Sequence, residues 1–550
     1  MKLPGLTKAI SRLKARATAA ILPEYTRSTW LPRTRIGATI AFAALAVFGL
    51  CYGATFALVA PLMMVPLLIP LVLALAVIIW ALPESRTMPV KSMTVLFFAF
   101  LTAQVLWPNY LAISLPGTPW ITMNRLIGAP MFLILIYSIS TSSMARKILS
   151  ETELTSNIIR LSFVFFILIQ FASLGMSATI GESMNRLVAA QLNSTSILLV
   201  AIIVFQKRPA RRAFAYFVWS SAIVATLIGI AEWKTRHILW AGHIPSFLHI
   251  DDEKLQAYLQ GGHRAFTNIY RPQSTSTTSL GFGELLALTA PFVIYFLDAA
   301  EAWTTRLLAV ASLVVMFFGI YVADARSGMI GFSLGLLSYG LVVGIRLWRT
   351  RRESLFGIAI SLSYPALLAA AVAASFMFHA IRVKIWGGGA QAGSTEARVT
   401  QMHMGLPLIA KNPLGYGIGR SGVVLNYRLP SGQLTVDNYY LTLALDHGVL
   451  GLAAFVTFVV AAMALAGRMV LRSKLPSLDN RIYLAIFQSL MAFFIIKSVF
   501  SQQDNHPIIF MIVGLLLALL SQEPDIRAAI AGRRKAARKS LGRIGALRQV

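Results

Sequence analysis

The sequence predicts an all-α fold, a polytopic transmembrane helical bundle of about fourteen spans with two larger extracytoplasmic loops. Its composition points there first: 57% of the 550 residues are hydrophobic and 13% are charged, whereas soluble domains carry roughly a quarter charged residues. The mean hydropathy is +0.70. The apolar residues are also gathered into runs of roughly 20, the length that crosses a bilayer core as a helix. Finally, the basic runs at 206–212, 346–354, 468–474 and the C-terminal tail fall on one side when the spans are threaded in order.

A net charge of +28 raises nucleic-acid binding as a reading. The lysines and arginines, however, sit in short runs between apolar spans and at the two termini, which is the pattern that orients membrane proteins. No nucleic-acid partner is expected. The single cysteine, Cys51, lies in an apolar run, so an intrachain disulfide and a cysteine-based zinc site are both excluded. No phosphate-cradling P-loop motif occurs, so nothing suggests a pump driven by ATP.

Residues 1–35 alternate Leu3, Leu6, Ile10, Leu13 and Ala17 with Lys2, Lys8, Arg12, Lys14 and Arg16. That pattern predicts a basic amphipathic helix lying on an anionic leaflet on the cytoplasmic side. A signal peptide is the alternative, but no small-residue cleavage site is evident. The transmembrane domain is expected over 36–521. Its first apolar run, Ile36 to Leu82, is too long for one span and suits two, joined near Pro61. Further spans are expected near 92–113, 125–142, 158–176, 187–205, 213–233, 283–299, 306–322, 327–346, 354–378, 439–466, 481–499 and 507–521.

With a cytoplasmic N-terminus, QKRPARR (206–212), RLWRTRRES (346–354) and RMVLRSK (468–474) all fall inside. So does the basic tail, 522–550, with Arg533, Arg534, Lys535, Arg538 and Lys539. The loops 234–282 and 379–438 then fall outside, and all eight histidines land on that outer side. No internal repeat and no low-complexity linker is apparent.

The outer side concentrates the polar chemistry. Between Ser394 and Leu452 lie Arg398, His403, Lys411, Arg420, Asp437, Asn438 and His447, and charged groups held between spans are functional-site candidates. Arginine's fork of donors binds phosphate oxygens in pairs and stays charged, so a basic outer loop suits a lipid diphosphate. The plainer reading of any one arginine is contact with lipid head groups or with the loop's own carbonyls. Arg326, in DARSG (324–328), lies in a break between two spans and needs an anion or Asp324. Arg271 precedes STSTTS (274–279), whose hydroxyls suit either a sugar or the start of a helix. His237, His243 and His249 are spaced six apart, which stacks no two of them on one helix face, so no metal site is expected. The glycines of GYGIGRSG (415–422) lack a strand-turn-helix setting and read as a flexible turn. A transporter would show polar groups at mid-membrane depth on several helices. Few stand out: Gln104, Gln191, Asn193 and Glu232.

The order of these motifs resembles the O-antigen ligase and polysaccharide polymerase superfamily: DARSG, then an arginine opening a helix that ends in NPLGYGIG, then DNYYLTLALDHGVLGL (437–452). The resemblance covers Phe266 to Leu452. It implies a metal-independent, cofactor-free membrane glycosyltransferase of polysaccharide biosynthesis, acting on the outer face of the bacterial inner membrane. The donor it implies is an undecaprenyl-diphosphate-linked oligosaccharide. The acceptor is a growing glycan in the polymerase branch and lipid A core in the ligase branch. Polysaccharide assembly proteins would be further partners.

By the same similarity Arg326 and Arg398 hold the diphosphate, with Arg271, Arg420, Asn438 and His447 as further substrate contacts. Ligases carry a histidine before the asparagine of the last motif, and here that place is Asp437, a candidate base or helix cap. This departure favours the polymerase branch. A lipid-linked-oligosaccharide flippase is the alternative from another class.

Overall fold

A computed structural model of the chain describes residues 87–113, 121–153, 155–250, 270–300, 302–350, 355–378, 382, 392–429, 432, 434–472, 478–524 and 526. The segment 1–35, the two spans expected in 36–82 with Cys51, and the basic tail beyond 526 lie outside the described residues.

The first described helix, α1 (Val90–Leu106), ends where Trp107 turns extended, because the residue before a proline, here Pro108, is pushed out of the helical region. The span expected at 92–113 is therefore shorter. Its last residues form β1 (Leu111–Ile113), which pairs antiparallel with both β2 (Ile121–Thr122) and β3 (Leu248–Ile250) in the order β2-β1-β3. Beside this small sheet Trp240, Ile244 and Leu248 pack on Tyr110 and Leu111. Trp240 Nε1 donates to the Tyr110 hydroxyl at 2.9 Å, and burial pushes that phenol well above its ordinary pKa.

The helices that follow are α2 (Met123–Thr141), α3 (Ser143–Glu153), α4 (Asn157–Ala172), α5 (Ile180–Ala190), α6 (Ser196–Val204) and α7 (Arg208–Thr235). A π turn over Gln191–Thr195 joins α5 to α6. After β3 come α8 (Ser279–Ala299), α9 (Trp303–Val322), α10 (Arg326–Thr350), α11 (Leu355–Met377) and α12 (Ala392–Lys411). The short α13 (Ser421–Leu425) precedes α14 (Tyr439–Arg472), α15 (Leu478–Ile496) and α16 (His506–Leu520). Among the described residues nine helical segments are long and apolar enough to cross a membrane, and α1, α15 and α16 are shorter apolar helices. The protein is an all-α polytopic membrane protein.

The chain divides into two compact units. The described part of one is residues 87–88 with Ile136–Met144, which holds the end of α2 and the start of α3, and there the Thr141 hydroxyl donates to Tyr137 O at 2.8 Å. The other unit, Pro89–Leu135 with Ala145–Val550, contains the features treated below.

At the centre of that unit stands α8, buried along nearly its whole length from Gly281 to Phe296. It packs on α15, α10, α9 and α7, while α4 packs on α14 and α6 on α16. Small residues bring α8 and α10 close: a Cβ at Gly328 would stand 2.8 Å from Gly283 O, so the glycine of DARSG is a contact the packing requires. Inside the bundle the Lys497 ammonium meets the Glu284 carboxylate at 2.8 Å, both side chains fully buried. Outward faces are apolar and exposed, as with Leu161, Val164, Phe165 and Leu168 on α4 and Leu307, Leu308 and Val314 on α9. Such surfaces fit lipid.

Candidate active site

The DARSG turn is built by a left-handed residue. Asp324 has φ 47, which reverses the chain between α9 and α10 and leaves Arg326 half-buried at the first position of α10. Arg271 braces this turn: its Nε donates to Ala323 O at 2.9 Å and its Nη2 to Asp324 O at 2.8 Å. Those two donors hold protein carbonyls, so Arg271 shares the turn with Arg326 as a positioning group. The hydroxyl-rich stretch after it is mostly structural. Gln273 and Ser274 donate their N–H groups to Glu232, Thr275 donates to Val105 O, and Thr278 caps α8 by accepting from Gly281 N at 3.1 Å.

A second group forms where α12 meets the start of α14. Arg398 is half-buried on α12, and its Nε is buried with no hydrogen-bond partner among the described residues. Gln401 lies three residues on, on the same face of the helix, and its side-chain oxygen accepts from Asp437 N at 2.8 Å. The fold thereby brings Asp437 beside the α12 turn that carries Arg398. The Asp437 carboxylate accepts from the Thr435 hydroxyl at 3.2 Å.

The expected cap role falls on the next residue. Asn438 Oδ1 accepts from Tyr440 N at 2.8 Å and from Leu441 N at 3.2 Å, the pattern that satisfies the orphan donors of a helix start. Asn438 is thus committed through that oxygen, while Asp437 is not the cap.

Past its second turn α14 breaks. Gly448 has φ 71 and ψ −178, a conformation open to glycine alone at low cost, and its neighbours Asp446 and His447 are buried. Asp446 organises the GYGIGRSG loop. Its carboxylate accepts from Gly419 N at 3.0 Å and Ser421 N at 2.6 Å, while Tyr416 N and Gly417 N donate to the carbonyls of Leu445 and Asp446. The loop is pinned along its length and is not the flexible turn the sequence suggests. Arg420, at its end, donates to the Thr179 hydroxyl at 2.9 Å and pairs with Glu182 at 3.3 Å.

His447 Nδ1 lies 3.3 Å from the Ser173 hydroxyl. It belongs to the wall of a cavity of about 580 Å³, within the size range of small-molecule sites. Of the residues singled out in the sequence, His447 lines this cavity with Gln104 and Asn193, and Arg271, Arg326, Arg398, Arg420, Asp437 and Asn438 do not. The wall holds groups that the sequence reading passed over: Arg125, Arg186, Asn124, Asp446 and His506. One signal was available. Met123–Leu126 and Met184–Leu187 are the same tetrapeptide, Met-Asn-Arg-Leu, and each carries one of the two arginines. Among the described residues no three His, Cys, Asp or Glu side chains converge as a metal-binding group.

Residues 311–456 match the family model described as O-antigen ligase. Over this stretch the chain is similar to the O-antigen ligase and polymerase superfamily. A curated O-antigen polymerase of Salmonella muenchen is 24% identical over 191 residues, which are 34% of this chain and 45% of that protein. The chain thus spans less than half the length of this O-antigen polymerase. The stretch matching the O-antigen ligase model is the one that contains Arg326, Arg398, Asp437 and Asn438.

Proposed function

We propose that this protein is a membrane glycosyltransferase that polymerises lipid-diphosphate-linked oligosaccharides on the outer face of the bacterial inner membrane, with both termini cytoplasmic. The observation that carries the reading is that the superfamily match falls on the segment holding the outer arginines and Asp437. In the proposed step an acceptor hydroxyl oxygen attacks the anomeric carbon of the donor. The bond from that carbon to the diphosphate oxygen breaks, and the hydroxyl proton passes to the Asp437 carboxylate. Arg326 and Arg398 stabilise the charge that grows on the departing lipid diphosphate, the role of preorganised donors in other transfer reactions.

In this reading undecaprenyl diphosphate is the lipid, and the arginines supply the positive charge that a divalent cation supplies elsewhere. Activity of the purified protein that is lost on chelation and restored by magnesium or manganese would contradict that part. The polymerase is preferred over the ligase because an aspartate stands before Asn438 in place of a histidine. A deletion strain tests the choice: single repeat units on the cell surface with the polymer missing are expected, whereas polymer that is made but unattached would mean a ligase. The polar cavity favours one second reading, a flippase for the same lipid-linked glycan. Movement of a labelled lipid-linked saccharide across proteoliposomes without glycan growth would support it.

A further inference from the structure

Glu232 is buried near the end of α7, only 1% exposed, and the proposed clamp gives it no part. Its carboxylate takes three donors from one short segment. Oε1 accepts from the Tyr270 hydroxyl at 2.6 Å and from Gln273 N at 3.1 Å, and Oε2 accepts from Ser274 N at 2.7 Å. A buried carboxylate is costly unless such bonds offset its lost hydration.

Those bonds flank Arg271. Tyr270 stands immediately before the arginine and Gln273 and Ser274 shortly after it, so Glu232 fixes the backbone on both sides. Ser274 has φ 53, a left-handed conformation uncommon outside glycine. Its hydroxyl donates to Ala225 O at 2.7 Å, about two turns before Glu232 on α7. The helix therefore grips the segment at two levels.

From Arg271 the contacts cross to the DARSG turn. Arg271 Nε donates to Ala323 O and Nη2 to Asp324 O, and Asp324 is itself left-handed. Arg326 then opens α10. Left-handed residues other than glycine persist where the surroundings over-determine them, and they gather at functional sites. The packing leaves little slack to absorb a shift: a Cβ at Gly319 of α9 would stand 2.8 Å from Thr226 Cγ2 of α7, and Ala325 packs on Gly283 of α8 where no Cβ would fit.

We infer that Glu232 is a positioning residue for Arg326, acting through the 270–274 segment and Arg271. This rests on the diphosphate clamp proposed above and deepens it by naming the brace that aims one of its two arginines. A glutamine is nearly the same shape but cannot replace the carboxylate. Whichever way its amide lies, its NH2 faces the backbone N–H of Gln273 or of Ser274, and neither N–H can turn into an acceptor.

Initial rates of transfer by the purified full-length chain test it, with the lipid-linked oligosaccharide accumulated by a deletion strain as donor. Glu232→Gln should lower kcat and kcat/KM together by about ten- to a hundredfold, because a small misplacement of a transition-state group is costly. In the Arg326→Lys background the same change should cost no more than about twofold further, since the guanidinium that it positions is already gone. A residue that merely supports the fold would cost the same factor in both backgrounds, and that result overturns the inference while the clamp stands. Near-normal transfer by Arg326→Lys itself removes the clamp and the inference together.

Amide exchange is the second measurement. Asp324 N and Ala325 N donate to the carbonyls of Tyr321 and Ile320, and both should exchange faster in Glu232→Gln; unchanged exchange there overturns the path through Arg271. If Glu232→Gln does not fold, Tyr270→Phe removes one bond and keeps the carboxylate. It should lower the rate about two- to tenfold, again only while Arg326 is present, and an unchanged rate overturns the inference.

Discussion

Ser421 donates its backbone N–H to the Asp446 carboxylate at 2.6 Å across 25 residues of chain. Asp446 sits just before the break in α14, so the same residue fixes the GYGIGRSG loop and faces the cavity wall. Asp446→Ala leaves the N–H groups of Gly419 and Ser421 without their acceptor, at about 1–3 kcal/mol each. The variant should melt lower in detergent and become open to proteolysis near Gly419, with Asp446→Asn milder because one acceptor oxygen remains. Unchanged melting and proteolysis in the alanine variant would mean that the loop is held by its other bonds.

The buried pair of Lys497 and Glu284 yields a second prediction. Both side chains are fully buried, and Glu284 also accepts from Asn505 Nδ2 at 3.1 Å. Removing one charge strands the other in a low-dielectric interior, which typically costs about 3–5 kcal/mol. Glu284→Leu alone and Lys497→Met alone should each lower the melting temperature sharply, while the double variant should recover much of the loss. Additive losses in the double variant would show that the two residues act separately.

The spans were legible because burial in lipid demands long apolar runs: the expected 213–233 and 306–322 became α7 and α9, extended by a few residues. The DARSG turn was legible as a break between spans. What was hidden depends on tertiary partners. Gly448 sits in an apolar stretch that reads as continuous helix, and its left-handed conformation is forced by packing against Pro413 and Leu414. Arg125 and Arg186 read as ordinary charges at the start of a span, since nothing local says that two such starts share one cavity. Glu284 and Lys497 lie 213 residues apart by number, and only the packing of α8 on α15 makes them a pair. His447 reads as an interfacial histidine until the kink turns it into a buried wall.

Orientation is checked by labelling. Ser246→Cys and Ser431→Cys, each in a Cys51→Ser background, should react with a membrane-impermeant thiol reagent once any outer envelope is permeabilised, and Ser354→Cys should not. The basis is the proposed orientation, in which the basic runs lie on the cytoplasmic side. Labelling of Ser354→Cys with protection of the other two would invert the topology and remove the outer-face reading.

The most direct test of the central claim is transfer by the purified protein from lipid-linked oligosaccharide, comparing Arg326→Lys, Arg398→Lys and the double variant at matched amounts. A lysine keeps the charge and loses the paired donors, and removal of a preorganised donor costs about a hundred- to a thousandfold in rate. Each single variant should fall by that order, the double should fall by far less than the product of the two, and Arg349→Lys should transfer normally. Near-normal transfer by Arg326→Lys and Arg398→Lys would contradict the clamp and return the flippase reading to first place.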